Sequence, residues 1–203
     1  MLVDLVDTFG HIDIYLFDQL VRGRIRPGMR VLDAGCGAGR NLLFLLKAGY
    51  DVRACDEDGR AVDEVRRLAA QLAPRLPASN FRVEPVERLS FETGSCDAVI
   101  SSAVLHFARD EAQFGAMLDA MWRVLQTGGV LFARLASTIG IEHAVVPRGG
   151  RRFTLPDGST RFLVDEPMLS RITRDWSAAL LDPIKTTLVH EQRSMTTWVV
   201  RKP

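Results

Sequence analysis

Between residues 30 and 137, short apolar runs alternate with stretches whose apolar residues recur every three or four positions. "RVLDAG" (30–35), "DVRACD" (51–56), "NFRVEP" (80–85), the start of "CDAVISSAVLHF" (96–107) and "VLFARLAS" (130–137) have the length of buried strands. Between them lie helical patterns. "GRNLLFLLKAGY" (39–50) ends at Gly49. "GRAVDEVRRLAAQLA" (59–73) repeats apolar residues at Ala61, Val62, Val65, Leu68, Ala69 and Leu72. Asp110 with Gln113 forms a capping box that opens a helix running to about Leu125, which Gly128 and Gly129 are expected to stop. Strands alternating with helices predict a parallel sheet covered on both faces.

The pattern changes after Ser137. "RRFTLPDGSTRFLVD" (151–165) has two β-prone runs around "PDGS", a hairpin signature. Asp165 then caps a short helix with Pro167 in its first turn. "IKTTLVHEQ" and "MTTWVVRK" are too close in sequence for a helical crossover, so they pair antiparallel or belong to different sheets. Upstream, "IDIYLFDQLVRGR" reads as an amphipathic helix placed to cover a site. The expected organisation is one domain over residues 1–203, with a helical cover over 1–27 and a cap inserted at 138–178.

Composition changes this picture little. The 203 residues suffice for a full core, and 47% hydrophobic with 25% charged residues is ordinary globular composition. A net charge of +1 supplies no global field toward nucleic acid or an anionic membrane. No apolar run reaches the ~20 residues of a membrane span. The start of the chain carries acids and no basic region, unlike a secretory signal. Cys36, Cys55 and Cys96 have neither disulfide nor zinc spacing, and no metal site is expected; a reducing cytoplasm fits them.

The chemistry centres on "VLDAGCGAGR", residues 31–40. A strand, a glycine loop and a helix bring backbone N–H groups close to a ligand. The spacing is G-x-G-x-G, not the G-x-G-x-x-G of dinucleotide sites, and Arg40 stands where the last glycine of that fingerprint would fall. A carboxylate at Asp33 opposes a pyrophosphate and favours an ammonium group. Asp56 ends the second strand where an acid accepts hydrogen bonds from ribose hydroxyls, or else caps the next helix, a role open also to Asp58. Cys36 in the loop, Glu57 beside Asp56, and Tyr15 on the N-terminal helix join the candidate cofactor set.

These residues resemble motif I of the class I S-adenosylmethionine-dependent methyltransferases over about residues 28–137. "GRNLLFLLKAGYDVRACD" and the hairpin-bearing region are most similar to small bacterial enzymes of the tellurite-resistance type. The resemblance implies a Rossmann-like α/β fold: a mostly parallel seven-stranded sheet with an antiparallel last strand. It implies S-adenosylmethionine as cofactor and S-adenosylhomocysteine as product. Asp33 and the backbone at Gly35 and Gly37 would hold the methionine part, Asp56 the ribose, and the backbone of Ser101 the ammonium. The Val86 N–H would meet the adenine, with Pro85 in the place of the family's acid, between Glu84 and Glu87.

For methyl transfer, His106 in "VLHF" is the candidate base; alternatively it only packs against the cofactor rim. Arg134, in a buried run, either faces the pocket and binds an anionic acceptor or pairs with an internal acid. His143, Arg148, Arg151 and Arg152 could hold an oxyanion from the cap or be a solvated face, and Asp18 could line the same cavity. His190, Met121 and Trp122 read as structural. "SSAV" follows the fourth strand where amino-methylating nucleic-acid enzymes carry "NPPY" or "DPPY". The expected acceptor is a small molecule or small oxyanion, with no nucleic-acid or membrane partner, and the protein a monomer or homodimer. The rivals are a non-catalytic cofactor-binding protein and an NAD-dependent oxidoreductase.

Overall fold

The computed structural model describes residues 4–203; the first three residues of the expected 1–27 cover lie outside the described residues. In chain order the elements are α1 (Leu5–Phe9), α2 (Ile14–Val21), β1 (Arg30–Ala34), α3 (Leu42–Lys47), β2 (Asp51–Asp56), α4 (Gly59–Leu72), β3 (Phe81–Val83), β4 (Cys96–Ser102), α5 (Glu111–Val124) and β5 (Leu125–Ala136). There follow β6 (Val146–Pro147), β7 (Arg152–Thr154), β8 (Thr160–Phe162), α6 (Glu166–Asp175), β9 (Ala179–Leu180), β10 (Lys185–Val189) and β11 (Arg193–Arg201).

The main sheet runs β10-β11-β5-β4-β1-β2-β3, with the two-residue β9 adding an eighth strand against β11. The strands from β3 to β5 pair parallel, and β11 runs antiparallel to both β5 and β10. The tail strands thus pair with each other, across a turn at His190 and Glu191, both at positive φ (48° and 53°). His190 is exposed in that turn.

Alternation along the strands divides the core into two layers. Leu131, Ala133 and Leu135 of β5 face Phe114, Met121 and Val124 of α5 and Leu169 of α6. Val130 and Phe132 face the opposite layer, with Leu42 and Leu45 of α3, Val62 and Val65 of α4, and Leu16 of α2. Trp122 stacks on Trp176 (4.1 Å between centroids), which stacks on the fully buried Trp198 (5.7 Å).

Three element boundaries differ from the sequence reading. The helix expected over 39–50 is only Leu42–Lys47, because Gly39 holds φ 80° and Asn41 makes no capping bond. The fifth strand starts at Leu125, directly after α5; Gly128 and Gly129 lie inside it, near the bulge between Cys96 and Ala98 of β4. The hairpin β7–β8 gains a third strand, β6. This small sheet packs Leu155 and Leu163 on Ala136 and Met195, at the ends of β5 and β11. Within the segment 138–178, α6 buries Met168 and Leu169 in the main core, so the part over the sheet end is the three-stranded unit before it.

The N-terminal cover is fastened at several points. Tyr15 bonds Thr187 of β10 (2.6 Å), and Gln19 and Arg24 both donate to Asp182 (3.1 and 2.5 Å). Trp198→Ala removes the fully buried end of the indole stack and leaves a cavity. It should destabilise the protein by about 3–5 kcal/mol in urea unfolding; a loss below about 1 kcal/mol would show that the stack contributes little to the core.

Candidate active site

The sheet changes its winding at β1, which lies between β4 and β2. Chains leave the carboxyl ends of β1 and β4 in opposite directions there and open a crevice. Gly35 turns at φ 80°, and a Cβ on it would lie 2.6 Å from both γ-methyls of Val104. Glycine is therefore required by the backbone angle and by the close approach of the chain after β4. Gly37, at φ 50°, donates its N–H to Asp56 Oδ2 at 2.8 Å. Asp56 Oδ1 accepts from the N–H of Asp58 (3.0 Å), and Asp58 itself caps α4. Asp56 is thus not the helix cap; it ties the glycine loop to the end of β2.

The crevice is a cavity of about 580 Å³. Gly35, Cys36, Gly37, Asp56, Glu57 and Val86 line it, as the sequence reading groups them. Pro85, Glu87, Gln113 and Met117 form its far wall, and Gln113 donates to Glu87 at 2.9 Å. Val104, Phe107 and Ala108 close the side nearest β4. The Cys36 thiol is buried, and burial pushes its pKa strongly upward, so it is inert packing within the loop.

Three sequence candidates stand elsewhere. Ser101 is fully buried one residue behind the wall, which Ser102 and Ala103 form instead. Strand alternation turns the Ser101 side chain away from the wall, while the contact expected of Ser101 is through its backbone. Tyr15 lies over Arg134, with the guanidinium 5.3 Å from its ring centroid, and does not line the cavity. Asp33 sits beneath the loop, 1% exposed, and neither carboxylate oxygen has a hydrogen-bond partner. Desolvation raises its pKa to about 7, partly opposed by the charge of Arg40 and by Asn41.

A second cavity of about 490 Å³ adjoins the first and shares Arg40, Ser102, Ala103 and Phe107 with it. His106, Arg134, Arg161, Arg193 and Asp157 line it. Arg134 donates to Asp13 Oδ2 at 3.1 Å, while its Nε is buried without a partner. Asp13 is the N-cap of α2, accepting from Tyr15 and Leu16, and also accepts from Ser102 Oγ at 3.3 Å. Arg40 lies 3.6 Å from the same carboxylate and donates to Ser102 at 2.9 Å. Arg134 thus lines the cavity and pairs with an internal acid, Asp13.

The cap cations expected near an acceptor are occupied or remote. Arg151 pairs with Asp165 (2.8 Å), Arg148 bonds Thr154 (2.7 Å), and Arg152 reaches the Ala108 carbonyl (3.3 Å). His143 is exposed, and Asp18 pairs with Arg22 on the surface of α2. Asp13, Ser102, Arg161 and Arg193 were not singled out by sequence, and Arg40 only as a departure from the dinucleotide fingerprint. Only Asp13 carried a local signal, as a helix-capping residue before an apolar run.

The ring of His106 is 7% exposed, and its Nδ1 accepts the N–H of Ala136 at 3.3 Å. The proton of the neutral ring therefore sits on Nε2. Burial, reinforced by Arg161 and Arg134, lowers its pKa to about 4. A base role requires a free lone pair at the cavity, and the backbone has taken it.

Comparison with known proteins agrees with this geometry. Residues 31–129 match the family model described as a methyltransferase domain. A ubiquinone biosynthesis O-methyltransferase of Methylocella silvestris is 33% identical over 157 residues, covering 68% of this chain and 59% of the relative. The chain spans 45% to 59% of the length of the first curated relatives. A Burkholderia thailandensis 1,6-didemethyltoxoflavin N1-methyltransferase, solved with S-adenosylhomocysteine, superposes with TM-score 0.70 at 21% identity, covering 92% of this chain and 75% of that one. TehB of Haemophilus influenzae gives 0.67 at 20% identity, covering 95% and 63%. Fold and glycine loop thus define a class I Rossmann-like α/β protein. Over residues 31–129 the chain is similar to methyltransferase domains.

Asp33 makes a signed prediction. Its folded pKa of about 7 exceeds the ordinary 3.8, so the native state holds the extra proton between those values, and stability from this group falls as pH rises through them. His106, lowered from 6.5 to about 4, acts in the opposite sense, and the comparison with Asp33→Asn isolates Asp33. In urea unfolding of ligand-free protein, wild type should lose stability relative to Asp33→Asn from pH 5 to pH 8, a range spanning about 7. Parallel profiles would contradict the buried, unpartnered carboxylate.

Proposed function

We propose that the protein transfers a methyl group from S-adenosylmethionine to a small molecule or small oxyanion held in the second cavity. The observation that carries this reading is the glycine loop pinned to Asp56, opening on a cavity contiguous with a separate cationic one. The unpartnered carboxylate of Asp33 below the loop supports the fit, because it favours a cationic group over a pyrophosphate. The same feature disfavours an NAD-dependent oxidoreductase.

When bound, S-adenosylmethionine supplies a methyl group already activated by its sulfonium. The backbone of Gly35 and Gly37 receives the amino-acid end, and Asp56, with Glu57 beside it, receives the ribose. Pro85, Val86 and Met117 provide an apolar bed for the adenine. Val104 in the first cavity and Phe107, shared by both, present apolar surface beside the acceptor's approach. The lining of the second cavity orients the acceptor toward the first. We place the reaction in a reducing cytoplasm, in keeping with three free, buried cysteines. Among the described residues no helix is long and apolar enough to cross a membrane, and no group of metal-ligating side chains occurs.

Calorimetry with S-adenosylmethionine and S-adenosylhomocysteine should show binding of both, and NADH should not compete. Absence of binding by the folded protein would overturn the reading. Asp56→Ala should weaken both by about tenfold to a hundredfold, the worth of one charge-assisted hydrogen bond. A change below about threefold would remove Asp56 from the ribose site.

A further inference from the structure

The second cavity concentrates positive charge. Arg40, Arg134, Arg161 and Arg193 line it from four separate parts of the fold, and Asp157 is the one acid among its lining residues. Asp157 lies 3.7 Å from Arg193 and is engaged by Ser159, while Asp13 serves Arg134 and Arg40 from behind. Arg161 has no carboxylate in ion-pair range among the described residues. Its own hydrogen bond goes to the neighbouring Thr160 carbonyl, and its guanidinium lies 4.9 Å from the Phe107 ring centroid, at the boundary of the two cavities. The Nε of Arg134 is sealed in the interior without a partner, so Arg134 acts on the cavity it lines through its charge.

His106 completes the arrangement. With Nδ1 accepting from Ala136, the opposite nitrogen carries the proton. Nε2 has no protein partner and is not among the sealed, unpartnered polar atoms of the interior, so it opens on the cavity that His106 lines. Every polar side chain that this wall offers an acceptor, apart from Asp157 and the hydroxyls of Ser102 and Ser159, is a hydrogen-bond donor.

Resting on the methyl-transfer reading, we propose that the acceptor enters as an ionised oxygen acid, with Arg161 and Arg134 offsetting its charge and the Nε2–H of His106 donating to it. His106 is then a donor to the nucleophile and not a base. The chemistry balances without proton transfer. The oxyanion's lone pair forms the oxygen–carbon bond, the carbon–sulfur pair leaves with sulfur, and the negative and positive charges cancel. Ionisation is settled before the reaction, by the cationic wall, and the acceptor class is phenols, enols and other oxygen acids whose pKa the cavity can bring below the working pH.

A direct probe is 4-nitrophenol, whose anion and neutral form differ in visible absorbance. Titrated into protein saturated with S-adenosylhomocysteine, the bound probe should ionise about 1–3 pH units below the free phenol, the range expected for opposite charges in contact. Arg161→Gln should lose most of that shift. His106→Gln, which keeps an N–H donor and has no basic nitrogen, should bind the anion within about twofold of wild type. His106→Leu should lose about tenfold or more, as for a hydrogen bond to a charged group. Binding of the neutral phenol, an absorbance unchanged by saturating protein, or equal losses in both His106 variants would overturn the proposal. Calorimetry of S-adenosylhomocysteine on the same samples separates the outcomes: its failure defeats the methyl-transfer reading, while its success beside an un-ionised probe defeats this inference alone.

Discussion

The site depends on one steric constraint, the approach of Gly35 to the chain leaving β4. The sheet reverses its winding at β1, and the backbone after β1 must turn sharply within van der Waals reach of Val104. A side chain there would collide with Val104 and strain a left-handed residue. Because that contact is backbone against side chain, the loop closes tightly enough for the Gly37 N–H to meet Asp56. The ends of β1, β2 and β4 are thereby fixed around one cavity, and the core layers on both faces hold the strands in register.

Asp13 connects that cavity to the second one. Its carboxylate caps α2, receives Arg134 and Ser102, and lies near Arg40, so the cover helix and the cavity lining are joined through one buried acid. A buried acid with several donors is satisfied, whereas either partner alone would be costly to bury. Asp33 shows the converse. It has no such partners, and its pKa rises in consequence. Of the two aspartates, Asp13 is answered by several donors and Asp33 by none.

The sheet was legible in the sequence because its strands are short apolar runs separated by glycine, and because motif I has a distinctive spacing. Asp56, Cys36, Glu57 and Val86 follow from that motif and from position at strand ends. Boundaries were less legible: Gly128 and Gly129 suggest a helix stop, yet the chain passes from α5 straight into β5 and uses them inside the strand. The acceptor side was hardly legible at all. Arg161 and Arg193 are 32 residues apart in number and come together only through the cap sheet and the β10–β11 turn. The role of His106 turns on which ring nitrogen meets Ala136, a contact between residues distant in sequence that no spacing rule encodes.

The central claim is that the glycine loop at the end of β1 receives S-adenosylmethionine. Nuclear magnetic resonance of protein labelled with ¹⁵N-glycine tests it most directly, since 16 glycines report from all parts of the fold. On adding S-adenosylhomocysteine, the amide signals of Gly35 and Gly37 should shift most, while Gly94 and Gly128, before β4 and within the start of β5, stay in place. Unmoved loop glycines, or the largest shifts at Gly94 and Gly128, would contradict the account.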